Sequence, residues 1–135
     1  MKQLDTLEAW KCGQQLARAA YTVTLKPPLS RHFGLADQIR RAATSIPANM
    51  VEGYALGTTA QFIRCLRISL GSTAELHSHL KISMDLELLP KTDGELVVAL
   101  AERTLRLLIG FLRSLDSRRG QTPFPSPDSP KQRRP

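Results

Sequence analysis

The sequence predicts an all-α fold, an up-down-up-down antiparallel four-helix bundle. Apolar residues recur at spacings of three and four in four successive stretches. Short links containing Pro or Gly separate those stretches. Helices of roughly 17 to 30 residues joined so briefly pack most simply as antiparallel neighbours. A chain of 135 residues suffices for one such domain, assigned here to residues 1–117.

Thr6 is the expected N-cap of the first helix. After it Leu7, Trp10, Gln14, Ala17 and Tyr21 share one side. Pro27-Pro28 cannot continue a helix, so the first one ends before them. Trp10 and Tyr21 are expected in the core; a base-stacking platform is the alternative.

Leu29 to His32 form the next link, with Ser30 available as a cap, and a second helix starts near Phe33. Within it Leu35, Ile39, Ala42, Ala43, Ile46, Met50 and Gly53 fall in an arc of about 100°. Gln38, Arg41, Ser45, Asn49 and Glu52 occupy a neighbouring arc of about 80°. Each can reach the next, so this polar stripe is read as a packing and assembly element. Arg40 lies outside it and is the expected exposed phosphate contact. Pro47 either kinks the helix or ends it at Ser45–Ile46. Apolar spacing that continues to Met50 and Gly53 favours the kink. Gly53 to Gly57 is the expected break.

Thr58 or Thr59 can cap a third helix reaching about Leu88. Its main face holds Phe62, Leu66, Ser69, Leu70, Thr73, Leu76, Leu80 and Met84. Ile68, Ile82 and Leu86, with His79, lie on another side. Gly71 sits mid-helix at a cost of about 1 kcal/mol relative to Ala, which suggests a close backbone neighbour. Thr92, with Glu95 three residues on, is the expected capping box of the fourth helix. Leu96, Val97, Leu100, Thr104, Leu107, Leu108, Phe111 and Leu115 form its main face. Val98, Leu105, Ile109 and Leu112 form a second one. Two apolar sides on each of these helices argue for self-association.

Residues 118–135 are rich in Pro and basic residues and carry one large apolar side chain, so a disordered tail is expected. The net charge is +7, of which +3 lies in residues 1–117 and +4 in the tail. Arg118, Arg119, Lys131, Arg133 and Arg134 are read as a solvated end, or as added nonspecific phosphate contacts. No stretch approaches the roughly 20 apolar residues that span a bilayer. MKQLDTLEAW has no apolar core of signal-peptide type, so a cytoplasmic protein is expected. Cys12 and Cys65 are expected to be buried, reduced thiols.

GLADQIRRAATSIPANMVEG, at Gly34 to Gly53, resembles the signature helix of a bacterial four-helix-bundle family. That family includes the ribosomal-RNA intervening-sequence proteins and the accessory variability determinant of diversity-generating retroelements. Agreement continues through Phe62, Leu66 and the GSxxE pattern at Gly71, Ser72 and Glu75, and in Leu7, Trp10 and Tyr21. The resemblance covers about residues 4 to 115. It implies a homopentameric ring and, for the retroelement member, nucleic-acid binding beside a reverse transcriptase. Gln38, Arg40, Arg41, Ser45, Asn49 and Glu52 match the family's polar helix, and Ser72 and Glu75 its third-helix pattern. The chain departs from the family at Leu56, often basic, and near Gln61, often acidic.

Three functions compete for such a chain. A scaffold for RNA or DNA, or for a nucleic-acid enzyme, would use Arg40, Arg41, Arg64, Arg67, Arg103, Arg106 and Arg113 on phosphates. A protein-interaction module would use the polar stripe for helix register, with its arginines paired to Asp37, Glu52, Glu75 and Glu102. An enzyme is not expected. His77 and His79 point about 200° apart on a helix and cannot chelate one metal. Glu52 and Glu75 could meet in a bundle core, but the Glu-x-x-His pairs of di-iron bundles are missing, Ser78 standing at that spacing from Glu75. No cofactor or metal is implied.

Overall fold

A computed structural model describes residues 7–117. The expectations for Thr6 and for the tail from Arg118 onward, with its five basic residues, lie outside the described residues. Four helices occupy the rest: α1 Glu8–Val23, α2 Phe33–Leu56, α3 Thr59–Asp85 and α4 Lys91–Ser117. A short 3-10 turn, Leu29–Arg31, sits between α1 and α2. Among the described residues there is no strand. The principal contacts run α1 to α2, α2 to α3, α3 to α4 and α4 back to α1, the cycle of an antiparallel four-helix bundle.

The core is aliphatic. Leu16, Ile39, Ile46, Met50, Leu66, Leu76, Leu80 and Leu108 are fully buried. On α2 the apolar arc read from the sequence is buried apart from Leu35, which is half-buried. The helix continues past Pro47, as the apolar spacing requires. Extra donors serve the carbonyls just before it: Ser69 Oγ donates to the Ile46 carbonyl at 2.7 Å and Asn49 Nδ2 to the Ser45 carbonyl at 2.8 Å. These side-chain bonds hold the turn around Pro47, whose missing N–H leaves the Ala43 carbonyl without its usual helical donor.

Several expectations are corrected. The break expected over Gly53 to Gly57 falls at its far end, where α2 stops at Leu56 with Gly57 as its left-handed cap at φ 82°. Gly53 lies inside the helix, at a close approach of α2 to α3. A Cβ there would stand 2.7 Å from Cys65 Cβ and 3.2 Å from Phe62 Cα. Gly71, assigned that role from the sequence, has no neighbour within 4 Å of its would-be Cβ. Thr58 caps α3, accepting from the Gln61 N–H at 3.2 Å, but α3 ends at Asp85 rather than Leu88. Leu88 turns inward, its N–H donating to the Ser83 carbonyl and its own carbonyl accepting from Leu29 N–H, so the two links brace each other. α4 starts at Lys91, which places Thr92 inside the helix rather than at its cap.

Burial also redraws the faces. Val98 and Leu112 belong to the core and Leu96 is 62% exposed, reversing their assigned sides on α4. Tyr21 is not a core residue; it is 40% exposed. Trp10 packs against the core. On α3 the second apolar side stays uncovered in the protomer, with Ile68 41%, Ile82 45% and Leu86 61% exposed. Among the described residues no helix is long and apolar enough to cross a membrane.

Candidate nucleic-acid interface

Sequence position favours Arg40 as an exposed phosphate contact, and the structure gives it a second role, half-buried against the end of α1. Its Nε donates to Thr24 Oγ1 at 2.7 Å and its Nη2 to the Thr24 carbonyl at 3.2 Å. Its Cζ lies 5.2 Å from the Tyr21 ring centroid. Thr24 is the buried C-cap of α1, and its hydroxyl donates to the Tyr21 carbonyl at 2.6 Å. A cation at the carbonyl end of a helix is favourable. Arg40 therefore clamps the end of α1 to α2 through its Nε and one Nη.

The polar stripe divides in two. Ser45 Oγ and Ser72 Oγ are hydrogen-bonded at 2.9 Å across the α2/α3 seam, and Asn49 Nδ2 donates to Ser45 Oγ at 2.9 Å. These half-buried residues bind the helices together. Gln38, Arg41 and Glu52 are exposed, so they take no comparable part within the protomer. Arg41 approaches Asp37 at 4.0 Å on its own helix, an exposed pair of little energetic weight. Glu75 is exposed and holds His79 Nε2 at 3.2 Å. Glu52 and Glu75 thus do not meet in the core.

The seven candidate arginines do not form one patch. Arg103 reaches α1 at Glu8, 3.8 Å away, while Arg40 and Arg41 stand on α2. The remaining four, Arg64 and Arg67 on α3 with Arg106 and Arg113 on α4, belong to adjacent helices and are exposed. The edge-to-face pair Phe62–Phe111, at 5.8 Å, and the exposed ion pair Arg67–Asp116, at 3.6 Å, mark the register of those helices. That register brings Arg64, Arg67 and Arg113 to the same end of the bundle. Glu102, also on α4, is held by His77 at 3.3 Å. The arginine partners expected for Glu75 and Glu102 are therefore histidines. His77 and His79 turn to different partners, as their helical spacing requires.

Among the described residues no group of three or more His, Cys, Asp or Glu is placed to hold a metal ion. Both cysteines are buried and free. Cys12 Sγ lies 3.1 Å from Thr104 Oγ1. Burial pushes the Cys65 thiol above 9.0, the Glu52 carboxylate adds to the shift, and Arg64 opposes it. A thiol kept protonated by the fold, yet free to ionise when unfolded, gives stability that is complete below the unfolded pKa. That stability is lost as pH rises through the folded value. Above pH 9, the unfolding midpoint in urea should therefore fall more steeply for the wild type than for Cys65→Ala.

These features define a class: an all-helical bundle whose polar chemistry lies along seams and faces rather than converging in a cleft. The 23S rRNA-intervening sequence protein model matches residues 5–110, and the chain belongs to that family. A crystal structure of a protein of unknown function from the S23 ribosomal protein family of Bacteroides thetaiotaomicron VPI-5482 shares the fold. The TM-score is 0.70 at 24% identity, covering 78% of this chain and 95% of that one. No curated protein matches.

Proposed function

We propose that the chain is a non-enzymatic, self-assembling scaffold that binds nucleic acid, or serves a nucleic-acid enzyme such as a reverse transcriptase, in the cytoplasm. The observation that carries this reading is the exposed arginine set Arg64, Arg67, Arg106 and Arg113 on α3 and α4. Glu102 and Asp116 on α4 lie within contact of His77 and Arg67, at 3.3 and 3.6 Å. Guanidinium groups so placed suit phosphate contacts that position a polyanion without reading its bases. Self-assembly multiplies the effect. A body charge of +3 becomes about +15 in the pentameric ring that the family resemblance implies. The uncovered side of α3 at Ile68, Ile82 and Leu86 supports assembly, since monomers rarely leave large contiguous apolar patches exposed.

The test is fluorescence anisotropy with a labelled single-stranded RNA and a DNA duplex across a salt series. Replacing Arg64, Arg67, Arg106 and Arg113 by Gln should weaken binding at least tenfold. It should also reduce the salt slope by about one for each phosphate no longer neutralised. A wild-type protein that shifts neither probe at about 50 mM salt sinks the nucleic-acid role. The Ser45–Ser72–Asn49 network favours a second reading, a protein-interaction module with no nucleic-acid role. In that case the wild type would shift neither probe and would still assemble.

A further inference from the structure

Two uncovered surfaces of the protomer complement each other. The first is convex. On α3 and its C-cap, Ile68, Glu75, Ile82 and Leu86 fall within an arc of about 40° and form an apolar ridge interrupted by an acid. Asp85 borders its C-terminal half and is exposed. The second surface is concave. An open groove of about 390 Å³ lies between the later turns of α1 and the first turns of α4. Ala19, Val23, Leu96 and Val97 give it apolar walls, and Arg18 and Lys26 flank it, with Asp93 at one side. Leu96, on its wall, is 62% exposed.

From this pairing we infer that the occupant of the α1/α4 groove is the α3 ridge of a second copy, docked head to tail. The inference rests on the self-assembly proposed above and specifies which faces meet. Ridge against ridge would set two convex surfaces together and oppose Glu75 and Asp85 with their own copies. Ridge in groove sets those acids against Arg18 and Lys26 and gives Ile82 and Leu86 an apolar bed. A contact between two different faces is heterologous: each copy offers a ridge to one neighbour and a groove to the other. It propagates to a closed ring or an open filament, whereas a self-complementary contact stops at two. The same contact would leave Arg64 and Arg67, toward the other end of α3, beside the interface rather than beneath its apolar part.

The experiment mixes two variants, each defective on one face. Ile82→Lys with Leu86→Lys disables the ridge, and Leu96→Asp with Arg18→Glu disables the groove. All four positions are exposed in the protomer, and circular dichroism confirms that each variant folds. Light scattering should find the wild type well above the 15.0 kDa of one chain and each variant alone at that mass. Their mixture should form a one-to-one complex of two chains and grow no further, because it holds one intact ridge and one intact groove per pair. A mixture that stays monomeric while the wild type assembles overturns the head-to-tail contact and leaves self-assembly standing. So does a ridge variant that assembles alone. A wild type that is itself monomeric overturns both.

Discussion

Gly53→Ala is expected to destabilise the protein by about 2 kcal/mol, although helix propensity alone would favour Ala by about 1 kcal/mol. The added Cβ would stand 2.7 Å from Cys65 Cβ and 3.2 Å from Phe62 Cα. Neither atom is the loose end of a side chain, so α2 and α3 must separate to admit it. Overpacking of this kind costs about 1–3 kcal/mol. A fall of roughly 8 °C in the thermal midpoint would follow for a domain of this size. Gly71→Ala is the control. Nothing lies within 4 Å of that position, so the same methyl should raise the midpoint of the isolated protomer through the propensity gain. Equal responses at the two glycines would refute the close α2/α3 approach.

The second large effect is expected at Arg40, and its direction separates structure from function. Arg40→Ala should lower stability by about 1–2 kcal/mol in a denaturant titration. Charge-assisted hydrogen bonds contribute about 1.5–3 kcal/mol, and Arg40 is only half-buried, which discounts that figure. The buried Thr24 carbonyl loses a donor, and the exposed face of Tyr21 loses its cation. Nucleic-acid affinity should change far less than in the quadruple arginine variant, because Thr24 engages the Nε and one Nη of Arg40. The four arginines of α3 and α4 should behave oppositely, losing affinity without losing stability. A stable Arg40→Ala protein that no longer binds RNA would restore Arg40 to the interface and remove its role as a clamp.

The polar stripe shows how far sequence reasoning carries. Spacings of three and four correctly group Ser45 and Asn49 beside the core, with Ser72 named alongside them. Helical period alone then extends the stripe to Gln38, Arg41 and Glu52, which the bundle leaves exposed. Period gives the direction of a side chain on its own helix. It does not say where the neighbouring helix stops covering that direction. Arg40 illustrates the same limit. Its position outside the arc implies exposure, yet it faces the end of α1, where a buried threonine and an aromatic ring receive it. The signal is present as Tyr21 and Thr24 just before the Pro27-Pro28 stop, but only the crossing of α1 on α2 makes them partners.

The number of helices, the passage of α2 through Pro47, the burial of Cys12 and Cys65, and the second apolar side of α3 are all legible in the chain. Each follows from local chemistry: apolar period, proline geometry, cap residues and the low polarity of a thiol. What only the tertiary structure decided were the meetings between distant residues. Gly53 rather than Gly71 takes the close approach, because the α2/α3 packing, not mid-helix position, determines where two backbones nearly touch. Val98 and Leu112 enter the core while Leu96 stays outside, because α4 is rotated to fit the space left by three other helices. That rotation is set by volume and close packing summed over the whole interior, a quantity no single stretch of sequence contains.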